Sequence, residues 1–117
     1  MFIESHKQLI VWQKAISLVK ETYNLTELFP KSELYGLTSQ MRRAAVSIPS
    51  NIAEGRRRGS KAEFIRFLRI AFGSGAELET QIEIAKMLNQ TSKFNYSRID
   101  SLLGEIMRIL NRMTNTN

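Results

Sequence analysis

Apolar residues along this chain recur at steps of three and four between polar positions, which is the period of an α-helix and not the alternation of a strand. The pattern predicts four helices. The first covers about Leu9 to Phe29, with one stripe through Trp12, Ile16, Val19 and Tyr23, a second through Val11, Ala15, Leu18 and Leu25, and a stop at Pro30. The second starts near Ser32, a candidate N-cap, and carries Leu34, Leu37, Met41, Ala45, Ile48 and Ile52 toward the core before Gly55 and a run of arginines. Pro49 lies inside it. A proline there removes a backbone hydrogen bond and crowds the preceding turn, yet the apolar spacing continues across it, so a kink is expected and not two helices.

The third helix has the clearest start, because Ser60 and Glu63 form an S-x-x-E capping box that satisfies two orphan amides, so the helix should begin at Lys61. Phe64, Leu68, Ala71, Gly75, Leu78, Ile82 and Ala85 then follow a 4-3-4-3 seam suited to an antiparallel bundle. Phe67, Ile70, Ile84 and Leu88 flank that seam, and Ile65 and Phe72 face other sides. Phe64 to Phe72 is thus apolar nearly all round except at Arg66 and Arg69, more than one core covers, and this points to self-association. The fourth helix runs from Asn95 or Ser97 to Met113, after a loop at Gln90 to Lys93, with Ile99, Leu103, Ile106, Leu110 and Met113 in heptad steps. The expected fold is all-α: one domain over 1–117, an antiparallel up-down-up-down four-helix bundle with the second helix kinked at Pro49 and with flexible ends at 1–8 and 114–117.

The 117 residues contain no cysteine, which excludes disulfides, a thiolate nucleophile and cysteine-ligated zinc and fits a reducing compartment, so cytoplasm is expected. Met1 to Gln8 lacks the basic-then-apolar plan of an export signal, and no apolar run approaches the roughly 20 residues that span a bilayer. A soluble protein with no membrane partner is expected.

Charge changes this picture most. The net +6 sits wholly between Arg42 and Arg69, where eight bases (Arg42, Arg43, Arg56, Arg57, Arg58, Lys61, Arg66 and Arg69) face two acids, Glu54 and Glu63; the remainder balances nine against nine. Concentrated arginine attracts polyanions, and these eight residues are the candidate nucleic-acid contacts, with Arg56 to Arg58 foremost. One arginine would serve the dipole at the end of the second helix, but three in a row followed by Lys61 exceed that need, and Lys61 stands at a helix start where the dipole disfavours a cation. No zinc finger, aromatic RNP motif or GXXG loop is present, so backbone and shape contacts are expected instead of base readout.

Other motifs carry less. Gly73-Ser74-Gly75 is followed by Ala76-Glu77 and lies in mid-helix, so it is no phosphate loop; Ala71, Gly73, Gly75 and Ala76 read as a place where another helix comes close. Glu77, Glu79 and Glu83 lack a partnering histidine, and His6 stands alone, so neither a metal site nor a cofactor is expected. Trp12 and the phenylalanines read as core. No convergent acid, base or metal group supports an enzyme.

The segment Ser47-Ile48-Pro49-Ser50-Asn51-Ile52-Ala53-Glu54-Gly55, followed by Ile70-Ala71-Phe72-Gly73-Ser74-Gly75-Ala76-Glu77-Leu78, resembles the four-helix bundle family of 23S rRNA intervening-sequence proteins, and the similarity extends from about Val11 to Leu110. That family includes the accessory variability determinant proteins of diversity-generating retroelements. The resemblance implies a homopentamer with a basic surface that binds nucleic acid, no catalysis, and for the retroelement members a reverse-transcriptase partner. The leading expectation is a non-enzymatic oligomer that binds structured RNA, or RNA and DNA hybrids. Its rival is a scaffold or accessory subunit whose arginines meet an acidic, polymerase-like protein partner.

Overall fold

The computed structural model describes residues 5–115; residues 1–4 and 116–117, part of the ends expected to be flexible, lie outside them. Among the described residues the regular structure is helical: α1 (Ile10–Thr26), α2 (Ser39–Arg57), α3 (Lys61–Met87) and α4 (Ser97–Thr114), with a short 3₁₀ turn at His6–Gln8 before α1. Each helix neighbours two others, α1 touching α2 and α4, and α3 touching α2 and α4, which closes a four-helix arrangement; α2 and α3 share the most extensive contact. The body measures 49 × 22 × 19 Å. Along α3 and α4 the pairings count up on one helix as they count down on the other, from Arg69 with Thr114 to Lys86 with Asp100.

The predicted seams fill the core. Val11, Ala15, Leu18 and Leu25 of α1 are buried, as are Met41, Ala45, Ile48 and Ile52 of α2, Leu68, Ala71, Leu78, Ile82 and Ala85 of α3, and Ile99, Leu103, Ile106 and Leu110 of α4. Each fully buried Leu or Ile stabilises the fold by about 1.5–3 kcal/mol relative to exposure. The other α1 stripe lies at the margin, with Trp12 and Val19 half-buried and Ile16 and Tyr23 exposed.

Three boundaries differ from the periodicity. α1 ends at Thr26 and not at Phe29, the chain leaving through backbone bonds from the Leu28 and Phe29 amides to the Leu25 and Thr26 carbonyls. Where the second helix was expected from Ser32, a 3₁₀ turn (Lys31–Glu33) passes into a π-helical turn (Leu34–Thr38), and α2 proper starts at Ser39. Gly36 leaves helical geometry there, and the Glu33 carboxylate accepts the Leu37 amide at 3.0 Å. This rotates Leu34 out to solvent, contrary to its expected core position. From Ser39 onward α2 is one helix across Pro49. The connection before α4 spans residues 88–96, longer than the 90–93 read from sequence.

That loop is held by polar groups. Thr91, fully buried, donates its hydroxyl to the Ala85 carbonyl at 2.6 Å, and the Tyr96 hydroxyl donates to the Thr91 carbonyl at 2.8 Å. Burial pushes the Tyr96 phenol above its ordinary value. Beside it Lys86 bonds Asp100 at 2.7 Å and Glu83 at 3.2 Å, and the Asp100 bond, followed by Glu83, raises the ammonium.

Both shifts act in one direction. A group whose folded pKa is raised contributes stability that is complete below its unfolded pKa and is lost as pH rises through the folded value. The melting temperature should therefore be flat up to about pH 9.5 and fall above about pH 10. Tyr96→Phe should lower stability at neutral pH by about 1 kcal/mol, the worth of one hydrogen bond, and make the alkaline fall shallower, both readable from thermal melts followed by circular dichroism.

Candidate nucleic-acid interface

The eight candidate bases divide into two groups by position and into two kinds by partner. Arg42 and Arg43 lie near the start of α2, about 14 residues or roughly 21 Å along the helix from Arg56 and Arg57. Arg56, Arg57, Arg58, Lys61, Arg66 and Arg69 surround the α2–α3 connection.

The connection is short because glycine allows it. Arg58 closes α2 with its amide on the Gly55 carbonyl at 3.2 Å, Gly59 takes φ +86°, and Ser60 then caps α3 by accepting the Glu63 amide at 3.1 Å. Gly59 is the left-handed residue that follows many helix ends, a conformation a side chain would strain. Gly55 has a different reason: a Cβ there would stand 2.6 Å from the Phe67 Cβ and 3.2 Å from the Phe64 carbonyl oxygen. The two helices touch backbone to side-chain root, and three arginines and a lysine are thereby gathered on one tight turn.

The second half of the expected capping box is not made. The Glu63 carboxylate turns to Arg66 at 3.1 Å and Arg58 at 3.8 Å and not back to the Ser60 amide. Arg58 also bonds Glu54 at 2.9 Å. The guanidiniums of Arg58 and Arg66 both lie over the Phe67 ring, 4.8 and 4.7 Å from its centroid. Phe67, read from sequence as a core flank, is thus buried and serves as the floor on which two arginines rest. Only the spacing from Arg66 to Phe67 hinted at this, since the Arg58 contact crosses the turn.

Arg69 donates to the Thr114 carbonyl at 3.2 Å and so satisfies the end of α4, where positive charge is favoured. Arg42 is held likewise: its Nε donates to the Thr26 hydroxyl at 2.9 Å, its terminal nitrogen pairs with Glu27 at 3.4 Å, and it lies 4.5 Å over the Tyr23 ring. Arg43, Arg56, Arg57 and Lys61 have no carboxylate within 4.0 Å among the described residues. Arg43, Arg57 and Lys61 are exposed and Arg56 half-buried. Four of the eight bases thus have internal partners, and three of the four without one stand at the α2–α3 turn.

The remaining motifs settle into structural places. His6 meets Trp12 edge-on at 5.1 Å. Glu83 pairs with Lys86, and among the described residues no group of three or more His, Asp or Glu side chains stands where a metal ion would be held. Among them, too, no helix is long and apolar enough to cross a membrane. Of the small residues in α3, Ala71 is buried and Gly75 makes room for Met107 of α4. Gly73 differs: a Cβ there would meet nothing within 4 Å, so no neighbour in this chain explains it. The apolar stretch 64–72 is mostly covered, with Phe67 and Leu68 buried, Phe64 and Phe72 packed on the core and Ile70 exposed. Much of the uncovered apolar surface lies elsewhere, at Ile84 and Met87 late in α3, at Leu88 just after it, and at Leu34 and Tyr35.

The model of the 23S rRNA-intervening sequence protein family matches residues 7–112. Among solved structures, the chain is similar to a protein of unknown function from the S23 ribosomal protein family of Bacteroides thetaiotaomicron VPI-5482, with 25% identity and a TM-score of 0.82 over 92% of this chain and 100% of that one. Among curated proteins nothing matches.

The Ser60 hydroxyl is the one side-chain cap at the start of α3, so Ser60→Ala should lower stability by about 1 kcal/mol, read as a lower urea midpoint at unchanged slope.

Proposed function

The chain belongs to the 23S rRNA-intervening sequence protein family, and from that premise we propose that it is a non-enzymatic protein that binds structured RNA by its phosphates at the α2–α3 turn. The observation that carries this reading is the set of cations without a carboxylate partner among the described residues, Arg56, Arg57 and Lys61, drawn onto one turn by Gly55 and Gly59. Six bases and two acids occupy residues 54–69, so the turn keeps a positive excess even after the Glu54 and Glu63 pairs are formed. Arg58 and Arg66 shape this surface: stacked on Phe67 and tied to Glu63, they are held beside the exposed Arg57 and Lys61. Phosphate contacts of this kind position a polyanion without reading its sequence. The reading places the protein in the cytoplasm.

We further propose that it works as a homo-oligomer, a pentamer by its resemblance to the family's barrel-forming members, with copies meeting along the outer side of α3. An interior glycine costs a helix about 1 kcal/mol relative to alanine. Gly73 has no compensation within one chain, and Ile70, Ile84 and Met87, the last 79% exposed, are apolar on the same helix.

Two experiments test these statements. In binding titrations of structured RNA across salt concentrations, the variant Arg56→Gln/Arg57→Gln/Lys61→Gln should lower the log-log salt slope by about 2–3, at 0.7–0.9 per lost phosphate contact, whereas Arg69→Gln should leave the slope nearly unchanged. A wild-type protein that binds no RNA at low salt would overturn the reading and send the arginines to an acidic protein partner. In light scattering, wild type should have the mass of several chains, and Gly73→Leu should shift it toward that of one chain with helicity retained; a monomeric wild type would overturn assembly.

A further inference from the structure

A groove lies between the end of α1 and the start of α2, far along the rod from the basic turn. It is an open groove of about 570 Å³, lined by Tyr23, Leu34, Tyr35, Arg42, Arg43 and Val46 among others, with no acidic side chain in its wall. Its size is within the range of small-molecule sites. Tyr35 is 92% exposed, although it lies in an ordered turn between helices. It precedes Gly36, where the backbone leaves helical geometry.

The chemistry of the wall is that of aromatic faces beside guanidiniums. Tyr23 is held under Arg42, which Thr26 and Glu27 fix in turn, so that ring is pre-set. Arg43 has no carboxylate partner among the described residues and is the cation available to an anion. An apolar peptide would leave Arg43 without a counter-charge. A nucleotide meets both demands, with its base on an open ring and its phosphate on Arg43. A base inside a duplex has its faces covered by stacking, so only an unpaired one can use Tyr35.

We propose that this groove is a second nucleic-acid site, which takes an unpaired nucleotide of a single strand by stacking on Tyr35 and by a phosphate contact from Arg43. It rests on the reading of the protein as a nucleic-acid binder but not on the residues of the α2–α3 turn. Tyr23, Leu34 and Val46 provide the apolar wall, and specificity is for strandedness and not for sequence.

The test titrates the full-length protein with one labelled RNA sequence, presented as a single strand and as a duplex. Tyr35→Ala should weaken single-strand binding about 5- to 150-fold, the range for loss of one stacked base, and Tyr35→Phe should restore it. Duplex affinity and the mass by light scattering should stay as in wild type. Unchanged single-strand affinity in Tyr35→Ala would overturn the proposal, as would an equal loss for single strand and duplex. A change of mass in Tyr35→Ala would overturn it too, by making the groove a contact between copies. Single-strand binding indifferent to Tyr35, beside duplex binding that depends on Arg56, Arg57 and Lys61, would sink the groove and leave the turn; single-strand binding that needs Tyr35 without duplex binding would do the reverse.

Discussion

The approach of α2 to α3 at Gly55 is the constraint on which the basic end depends. With no Cβ at that position the Phe67 root and the Phe64 carbonyl sit against the α2 backbone, and any side chain there would have to push one of them aside. The same tightness recurs farther along, where the Ser47 and Ser74 hydroxyls meet at 2.7 Å and the Asn51 amide donates to the Ser47 carbonyl and hydroxyl. Small residues and paired hydroxyls let the two helices share the largest interface of the fold. The consequence is electrostatic: a wider separation would need a longer connection, and a longer connection would disperse the cations that one turn now concentrates.

Concentrating like charges opposes folding, and the structure shows how the cost is contained. Arg58 and Arg66 are brought over one buried ring and share one carboxylate, so their mutual repulsion is offset by Glu63, by Glu54 and by the face of Phe67. Exposed ion pairs are worth little singly, about 0–1 kcal/mol, but two cations converging on one acid and one aromatic face restrict each other's freedom. Arg69 meets the last carbonyl of α4. Charge needed for solubility, for helix ends and for packing is thereby separated from the charge that remains open.

Much of the fold was legible in periodicity, because helices this long repeat their apolar seams many times: the buried faces of α1, α3 and α4 are the predicted ones, and Ser60 marks the start of α3 to the residue. The segment 31–38 was not legible. Its apolar residues keep a helical spacing, but Gly36 and the Glu33 carboxylate choose a π-turn, and that choice depends on local hydrogen bonding that an apolar pattern does not encode. The basic cluster was legible as a count and not as a site. Which arginine is occupied depends on contacts between residues far apart in sequence, such as Arg42 with Thr26 and Arg69 with Thr114. Gly73 and Gly75 look alike in sequence, and only the position of Met107 separates them.

The separation of held from free arginines also bears on how such a surface changes over time. Replacing Arg58 or Arg66 disturbs a stacked ring, a carboxylate and the closest helix contact together, so those positions are bound to the fold. Arg57 and Lys61 are exposed and unpaired among the described residues, and substitutions at sites of that kind usually shift stability by no more than about 0.5 kcal/mol. A lineage can therefore add, remove or move charge at the turn, while the scaffold that presents the charge stays the same.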